Sequence, residues 1–294
     1  WGPKDDGDIL GYMGPLTISA LEKGTTDGRG GLGAIYVWSN GNGLNKNDFS
    51  NKDEYANSRY TIAVGAVNWK GEQTSYSETG PNVLVSAPSY DYPEVSNTSV
   101  YTTDIVGENG ASVEDYTSVA GGTSVAAPMV AGAVALMLEA NPDLTWRDVQ
   151  HILIKSSDKI DVSHPGWFPT EAGREYNNAY GYGLIDANKV VSYAEEWVNV
   201  EDEVNVRSDK VEVEGYILDE NNEGVTSSLF IDTSINIESV EILVNITHGD
   251  RGDLNVFLIS PNGIRSDLVL ENDEDINSNY HNWTFTSVAH WGEN

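Results

Sequence analysis

One short stretch of the sequence combines residue types that could carry nucleophilic chemistry. Residues 121–128 read Gly-Gly-Thr-Ser-Val-Ala-Ala-Pro, which places Ser124 among small neighbours, with Pro128 four residues later. At a helix N-terminus, free backbone N–H groups and the positive end of the dipole favour a negative charge beside such a hydroxyl. The pattern therefore indicates either a catalytic serine at a helix start or a serine that only caps an alanine-rich helix, since serine is a common cap.

A second polar residue stands in a glycine-rich stretch. Residues 38–43 read Trp-Ser-Asn-Gly-Asn-Gly, so Asn42 lies between two glycines. Asparagine next to glycine is typical of turns, and from the residues alone a turn is the simpler interpretation of Asn42.

Composition limits the partners that these residues could serve. The 294 residues carry 16 Lys+Arg against 46 Asp+Glu, a formal net charge of −30, and no cysteine. Nucleic acids and anionic membrane surfaces both require basic patches, so we expect neither as a partner. The lack of cysteine excludes disulfides, thiol catalysis and cysteine-bound zinc. No apolar run approaches the length that we expect of a membrane span.

The first 200 residues alternate apolar strands with helical patterns. Short continuous apolar runs predict buried parallel strands at 34–38, 61–67 and 83–86. Helices are predicted at 16–23 (ending at Gly24), at 124–140, after a capping box at Thr145 and Asp148, and at 184–197. Strands that alternate with helices predict an α/β domain with a parallel sheet flanked by helices.

After residue 205 the pattern changes to period two, and acidic residues become denser. Residues 210–214 and 235–246 alternate valine or isoleucine with polar residues, as half-buried antiparallel strands do. We predict a small all-β sandwich here. The change in composition predicts two domains, residues 1–200 and 201–294.

Several motifs together resemble those of one known family. The stretch 121–150 resembles the nucleophile helix of subtilisin-like serine proteases of the kexin/furin, or proprotein convertase, branch. Residues 1–7, 28–43, 42–78, 179–187 and 251–263 also resemble that family, in the same order along the chain. The resemblance implies a subtilisin-like α/β catalytic domain followed by a jelly-roll-like β-sandwich, the P domain.

The resemblance also implies roles for the two residues introduced above. Ser124 matches the family's nucleophile, and Asn42 matches the side-chain donor of its oxyanion hole. Such a donor stabilises the negative charge of a tetrahedral intermediate by roughly 3 kcal/mol.

Three acidic residues match the ligands of a calcium ion in the family. These are Asp5, Asp48 and Glu78, and the resemblance places the Ca²⁺ under the primary specificity pocket. Calcium favours carboxylate and carbonyl oxygens, and it stabilises acids that would otherwise repel one another. In a chain this acidic, any one of them taken alone would be read as a solvated surface charge.

The pocket itself is implied to select a basic substrate residue. Asp53 matches the acid at its base, Asp5 faces it, and Gly2 and Pro3 of the same motif are expected to contact substrate. Carboxylates there would select Arg or Lys before the cleaved bond through charge-assisted contacts. The spacing after residue 7 departs from the family pattern, and Asp8 does not match its further acid securely, so we predict preference for one basic residue and not for a strict pair.

The chain offers no residue that matches the family's general base. Its five histidines all follow Ser124, whereas the family places Asp and His before the serine: His151, His164, His248, His281 and His290. We therefore expect a fragment that lacks the catalytic Asp and His and the last P-domain strands.

The sequence thus predicts most of a secreted or cell-envelope, calcium-dependent serine endopeptidase that cleaves polypeptides after basic residues. We expect it to be monomeric. The alternative is a non-catalytic protein that keeps the subtilase fold and the P domain for binding or adhesion.

Overall fold

The structure is a computed structural model that describes residues 2–91, 99–219 and 223–294. Its α-helices are α1 (Pro15–Gly31), α2 (Glu54–Asn57), α3 (Thr123–Ala140), α4 (Trp146–Ser156) and α5 (Ala187–Glu195). Its strands are β1 (Tyr36–Ser39), β2 (Thr61–Val67), β3 (Val83–Pro88), β4 (Val100–Thr103), β5 (Tyr116–Ala120), β6 (Phe168–Pro169), β7 (Glu175–Tyr176), β8 (Val240–Ile246), β9 (Val256–Ile259), β10 (Arg265–Val269) and β11 (Tyr280–Ser287). Single 3₁₀ turns are formed at Leu44–Lys46, Ser50–Lys52 and Arg251–Asp253.

A parallel sheet forms the centre of the first part. Its strand order is β1-β2-β3, with Tyr36 opposite Thr61 and Ala63 opposite Val83. Every residue of β2 is buried, as expected for a strand covered on both faces. The prediction of an α/β domain with continuous apolar strands is therefore confirmed.

Helix α3 packs across all three strands of this sheet and against α5. Its mean hydropathy of 1.5 over 18 residues would also suit a membrane span, although a single such helix is weak evidence. Seven of its residues are buried in the protein, which accounts for its apolar composition: Thr123, Ala126, Ala127, Val130, Ala133, Val134 and Met137.

Local signals predicted some helix ends correctly and others wrongly. Helix α4 begins with the predicted capping box, in which the side chains of Thr145 and Asp148 bond each other's backbone N–H. Helix α1, in contrast, runs past Gly24 to Gly31 with a kink at residues 28–30. Gly24 is required for packing and not for a helix end, because a Cβ there would lie 1.9 Å from the Tyr36 hydroxyl.

The last helix of this part is shorter than the pattern at 184–197 predicted. Helix α5 begins only after Asp186, whose side chain caps it by accepting from the N–H groups of Asn188 and Lys189. Leu184 instead forms backbone bridges to Ser86 and Asp158. These backbone bridges therefore keep Leu184 out of the helix that the apolar periodicity predicted.

The C-terminal part is built from two antiparallel strand pairs, β8 with β11 and β9 with β10. Both pairs contribute side chains to one core, whose largest fully buried members include Trp283, Tyr280 and Phe285. Alternate residues of β8 face this core, which gives the period-two pattern seen in the sequence. The prediction of a β-sandwich after the α/β part is confirmed.

Of two strands predicted in this part, one is absent and the other is shorter than predicted. Residues 210–214 form no strand, and Val211 and Val213 are about half exposed. Alternation alone does not make a strand, since a strand also needs a partner edge and a core to cover. The strand predicted at 235–246 begins only at Val240, because Ile237 exchanges backbone hydrogen bonds with Gly292 and Glu293 instead.

The two hydrophobic cores exchange residues across the predicted domain boundary. Leu10 and Phe49 pack into the core of the β-sandwich, while Val288, Ala289 and Trp291 pack into the α/β core. The division at residue 200 stays a prediction, but each part completes the core of the other.

Asn51 and Lys52, between β1 and β2, make the most buried polar contacts between the two parts. The Asn51 side chain donates to the carbonyl oxygens of Leu268 and Thr286 and accepts from the Thr286 N–H. The Lys52 ammonium donates to the Gly7 carbonyl and to Asp275, both at 2.7–2.8 Å, with Lys52 3% and Asp275 0% exposed.

Asp275 is shared between two cations. The Arg251 guanidinium binds the same Asp275 oxygen at 2.8 Å and also donates to the Asp8 carbonyl. Burial alone would raise the pKa of Asp275, but the hydrogen bonds from Arg251 and Lys52 outweigh it and lower that pKa. The ion-pair network therefore depends on a charged Asp275.

We predict that Asp275→Asn destabilises the chain by about 3–5 kcal/mol, because it leaves two buried cations without a counter-charge. Urea unfolding of the full chain measures the change. Glu212→Gln is the matched control, since Glu212 pairs with Lys210 at side-chain exposures of 79% and 74%. Such an exposed pair contributes at most about 1 kcal/mol. Equal losses for the two variants would contradict the assigned role of Asp275.

Candidate active site

Ser124 lies at the second residue of α3 and is exposed. The turn before it is fixed by hydroxyl groups, because the Gly122 N–H donates to the Tyr76 hydroxyl and the Gly122 carbonyl accepts from Ser89. The Tyr76 hydroxyl is also 2.9 Å from the Ser89 hydroxyl. None of the hydrogen bonds formed among the described residues involves the Ser124 hydroxyl, so it is available to a ligand at a helix N-terminus.

Asn42 follows β1 and reaches the turn that carries Ser124. Its side-chain oxygen accepts from the Thr123 N–H at 2.8 Å and from the Thr123 hydroxyl at 3.0 Å. Its amide nitrogen and its backbone N–H both donate to the same oxygen of Asp5, at 3.2 and 3.1 Å. The bond to Asp5 uses one of the two N–H groups of the amide, so the other can donate to an oxyanion beside Ser124.

Glu78 lies behind this turn and is almost fully buried, at 3% exposure. One of its carboxylate oxygens accepts from the Gly43 N–H at 2.9 Å. Gly41 has a φ of +106°, and a Cβ there would lie 2.2 Å from that carboxyl group. Only glycine at position 41 lets the backbone come this close.

Asp48 joins Glu78 in the same buried site. An oxygen of each carboxylate lies about 3 Å from the position of a Cβ at Gly43, at 3.1 Å for Asp48 and 3.0 Å for Glu78. Burial raises the pKa of Asp48 to about 6, although backbone hydrogen bonds and the charge of Lys52 lower it, and the charge of Asp5 contributes a smaller increase. Burial also raises the pKa of Glu78 well above its usual range, and the charge of Asp48 adds to this.

Asp53 extends the acidic site to the other side of Asp5. It caps α2 by accepting from the Tyr55 N–H at 2.8 Å. Burial raises its pKa to about 7, and the charges of Asp5 and Asp48 raise it further. The structure thus brings all four sequence-predicted carboxylates into electrostatic contact, and we call Asp5, Asp48, Asp53 and Glu78 the acidic cluster.

Gly2 and Pro3 lie along the same surface. A Cβ at Gly2 would be 3.4 Å from an Asp53 oxygen, and Pro3 packs on Gly11, which forms a backbone bridge with Asp53. Both residues are therefore beside Asp53, where the sequence placed them.

The acidic cluster has no ionic partner among the described residues. In residues 2–91, 99–219 and 223–294, no lysine, arginine or histidine lies within 4.0 Å of any of its four carboxylates, since Lys52 is paired with Asp275. A divalent cation bound by oxygen ligands would relieve the burial cost that raises these pKa values. The donor set therefore fits calcium, although the oxygens of Asp5, Asp48 and Glu78 do not all lie within 4.8 Å of one another in the described chain.

No histidine partner for Ser124 exists among the described residues. His151 pairs with Glu238, and His290 pairs with Glu293, each at 2.8 Å. His164 bonds the Asn177 side chain, His248 bonds the Asp250 carbonyl, and His281 lies on β11. These five positions agree with the sequence-based view that none of them acts as the base.

Sequence reasoning missed the residues that hold the site together. Tyr76, Ser89 and Thr123 fix the position of Ser124 and Asn42, but each is a common residue in an unremarkable sequence context. No local pattern marks them, because their partners lie 30 to 80 residues away in the chain.

We predict that Glu78→Gln stabilises the chain when divalent cations are removed, increasingly so as the pH rises. The raised pKa of Glu78 means that the folded wild type holds a proton that the unfolded chain loses near pH 4.5, so wild-type stability falls above that pH. Glutamine does not ionise and keeps the oxygen that accepts from Gly43.

The free energy of unfolding of Glu78→Gln minus that of the wild type should grow above pH 4.5, by at most about 1.4 kcal/mol per pH unit. Urea unfolding in chelator between pH 4.5 and 8 measures it. Glu108→Gln, at an exposed position, controls for the loss of one surface charge. A difference that stays constant with pH would rule out the burial cost at Glu78.

Comparison with known proteins agrees with this fold. The profile of the Subtilase family matches residues 1–183, and that of the proprotein convertase P-domain matches residues 237–294. Protease KEX1 of Kluyveromyces lactis is 38% identical over 300 residues, covering 99% of this chain and 38% of its own length. The human proprotein convertase subtilisin/kexin type 4 is 36% identical over 300 residues, covering 100% of this chain and 38% of its own length.

The fold also matches a solved structure over the whole chain. It resembles that of the serine protease of Aeromonas sobria with a TM-score of 0.88, covering 100% of this chain and 61% of that chain at 24% identity. The chain spans about two fifths of the length of the curated relatives named above. It belongs to the subtilase family, and its similarity lies with the kexin-like proprotein convertases, P domain included.

Proposed function

We propose that this chain is part of a calcium-dependent serine endopeptidase that cleaves polypeptides after Arg or Lys through an acyl-enzyme. The observation that supports this most strongly is the position of Ser124, exposed at the start of α3 and joined through Thr123 to Asn42. The acidic cluster lies on the other side of Asn42 and gives the same surface its negative charge.

In this proposal Ser124 is the nucleophile. Its Oγ attacks the carbonyl carbon, the C–N bond breaks, and the proton from Oγ passes through a base to the leaving amine. Water then hydrolyses the ester. The described residues place no base beside Ser124, so the reaction requires one from elsewhere in the full-length protein.

Asn42 would stabilise the oxyanion of the tetrahedral intermediate. Its amide has two N–H groups, of which one donates to Asp5, so the other can donate to the oxyanion. The bond to Asp5 would fix the orientation of the amide, and a cationic substrate side chain would bind the same carboxylate. Asp5 would then contact both the substrate side chain and the oxyanion hole.

Asp53 and Asp5 would select the basic side chain, with Gly2 and Pro3 forming the adjacent wall. Since the described cluster has no ionic partner, a bound Arg or Lys would supply the missing positive charge in a partly desolvated site. Arginine could also bind a carboxylate in bidentate fashion.

Asp5, Asp48 and Glu78 would hold the calcium ion. The ion would neutralise the two buried carboxylates, Asp48 and Glu78, and so keep the floor of the pocket in place. It has a structural and electrostatic role in this proposal and takes no part in bond cleavage.

The second candidate is a non-catalytic binding protein. The observation in its favour is that no histidine contacts Ser124 among the described residues. The Arg251-Gly-Asp253 sequence does not support adhesion, because Arg251 is 7% exposed and its guanidinium is bound to Asp275. We propose secretion or attachment to the cell envelope, with polypeptides as partners, as the family resemblance implies.

We predict that the full-length protein cleaves an Arg-terminated fluorogenic peptide and that Ser124→Ala lowers its kcat by at least about 10⁴-fold. Asn42→Ala should lower kcat by about 10²–10³-fold, the range known for the equivalent loss in subtilisin. Circular dichroism and the unfolding midpoint confirm that the variants fold. Activity that survives Ser124→Ala would contradict the mechanism, whereas a wild-type protein without activity would favour the second candidate.

The same assay tests the choice of substrate. Wild type should strongly favour Arg over Leu before the cleaved bond, and Asp53→Asn should reduce the ratio of the two kcat/KM values by about 10–100-fold. Asparagine keeps the oxygen that caps α2. An unchanged ratio would remove Asp53 from the specificity site.

We predict that calcium raises the unfolding temperature of the full chain and that Glu78→Gln removes most of this increase. The reason is that a ligand that binds only the folded state stabilises that state, and a tighter ligand stabilises it more. Differential scanning calorimetry with chelator and with CaCl₂ measures it, and Glu108→Gln serves as the control. A full calcium response in Glu78→Gln would refute the ligand assignment but leave the serine chemistry intact.

A further inference from the structure

A second group of potential metal ligands lies in the β-sandwich, away from the acidic cluster. One ligand atom each from Asp219, His248 and Asp253 lies within 4.8 Å of the others. Among the described residues, these three form the only group of three or more His, Asp or Glu side chains whose ligand atoms lie this close together.

His248 is held in a form that suits metal binding. It follows β8, and its backbone N–H donates to the Asn279 side chain at 2.9 Å. Its Nδ1 lies 2.6 Å from the Asp250 carbonyl oxygen, which can only accept, so Nδ1 carries the proton. In the neutral imidazole Nε2 then presents a lone pair, as in histidines that bind metals while a carbonyl orients their other nitrogen.

The lone pair of His248 faces carboxylates and little water. The side chain is 7% exposed, and Nε2 lies 3.3 Å from an Asp219 oxygen. A neutral Nε2 and a carboxylate are both acceptors, so this contact needs a shared proton or a cation between them. Asp253 adds a second carboxylate, with an oxygen within 4.8 Å of the ligand atoms of Asp219 and His248.

The two carboxylates come from supports of different rigidity. Asp253 ends the 3₁₀ turn whose Arg251 and Gly252 are bound to the side chain and the backbone of Asp275. Asp219 lies in the connecting segment after α5, whose described residues 197–219 contain no helix or strand. Its side chain is 79% exposed, while Ile217 packs on the sandwich core.

We propose that Asp219, His248 and Asp253 bind a divalent transition-metal ion of the zinc type, which fastens the connecting segment to the β-sandwich. One imidazole and two carboxylates are typical zinc ligands, whereas calcium takes oxygen ligands almost exclusively. The ion replaces the proton that the Asp219–His248 contact otherwise needs. Water completes the coordination, because both carboxylates are exposed.

Isothermal titration of the full chain with ZnCl₂ tests the site, with CaCl₂ present in excess to occupy the acidic cluster. We expect one zinc ion per chain and an affinity at least tenfold weaker in His248→Asn, whose amide can still donate to Asp250. Asp219→Asn should weaken binding similarly, and its exposure makes misfolding of this variant no concern. His281→Asn, also in the sandwich and exposed, is the control.

Limited proteolysis gives an independent readout. Zinc should slow cleavage within the connecting segment of the wild type and of His281→Asn, but not of His248→Asn or Asp219→Asn. Zinc binding that is unchanged in both site variants would overturn the proposal, as would the absence of saturable binding. Both experiments measure zinc binding and not peptide cleavage by this chain, so neither result depends on the proposed protease activity.

Discussion

The buried ion pair between Lys52 and Asp275 is the interaction on which the rest of the structure depends. The Lys52 ammonium contacts the N-terminal segment at Gly7 and the β-sandwich at Asp275, and Lys52 immediately precedes the acid Asp53. Removing two charges from water is costly unless every donor and acceptor is satisfied. Arg251 and Gly7 satisfy the remaining groups, so three distant parts of the chain have to assemble together.

This arrangement explains why the acidic cluster has no ionic partner among the described residues. Lys52 lies close enough to lower the pKa of Asp48, but its ionic partner is Asp275. The acids near Ser124 therefore have no ionic partner among the described residues and are free for the proposed metal ion and basic substrate. A single lysine thus links the stability of the interface to the electrostatics of the proposed binding surface.

The β-sandwich is an integral part of this assembly. Phe49 packs into its core, and Trp291 packs into the α/β core. The loop between β1 and β2 carries Asn42 and Asp48 at one end and Asn51 and Lys52 at the other. Displacing the sandwich would therefore remove the support of the same loop that forms the site beside Ser124.

The sequence by itself determined the features that depend on neighbours in the chain. The buried strands, the cap at Thr145, the alanine-rich helix after Ser124 and the change to period two near residue 205 all follow from local patterns. The family motifs further identified Asn42 and the four acids, which the structure brings together. Only the tertiary structure decided that Gly24 serves packing, that residues 210–214 form no strand, and that Asn51, Lys52, Tyr76 and Ser89 hold the site. The physical reason is that each of these depends on a partner far away in the chain, and no periodicity or capping pattern records which distant group will be buried against it.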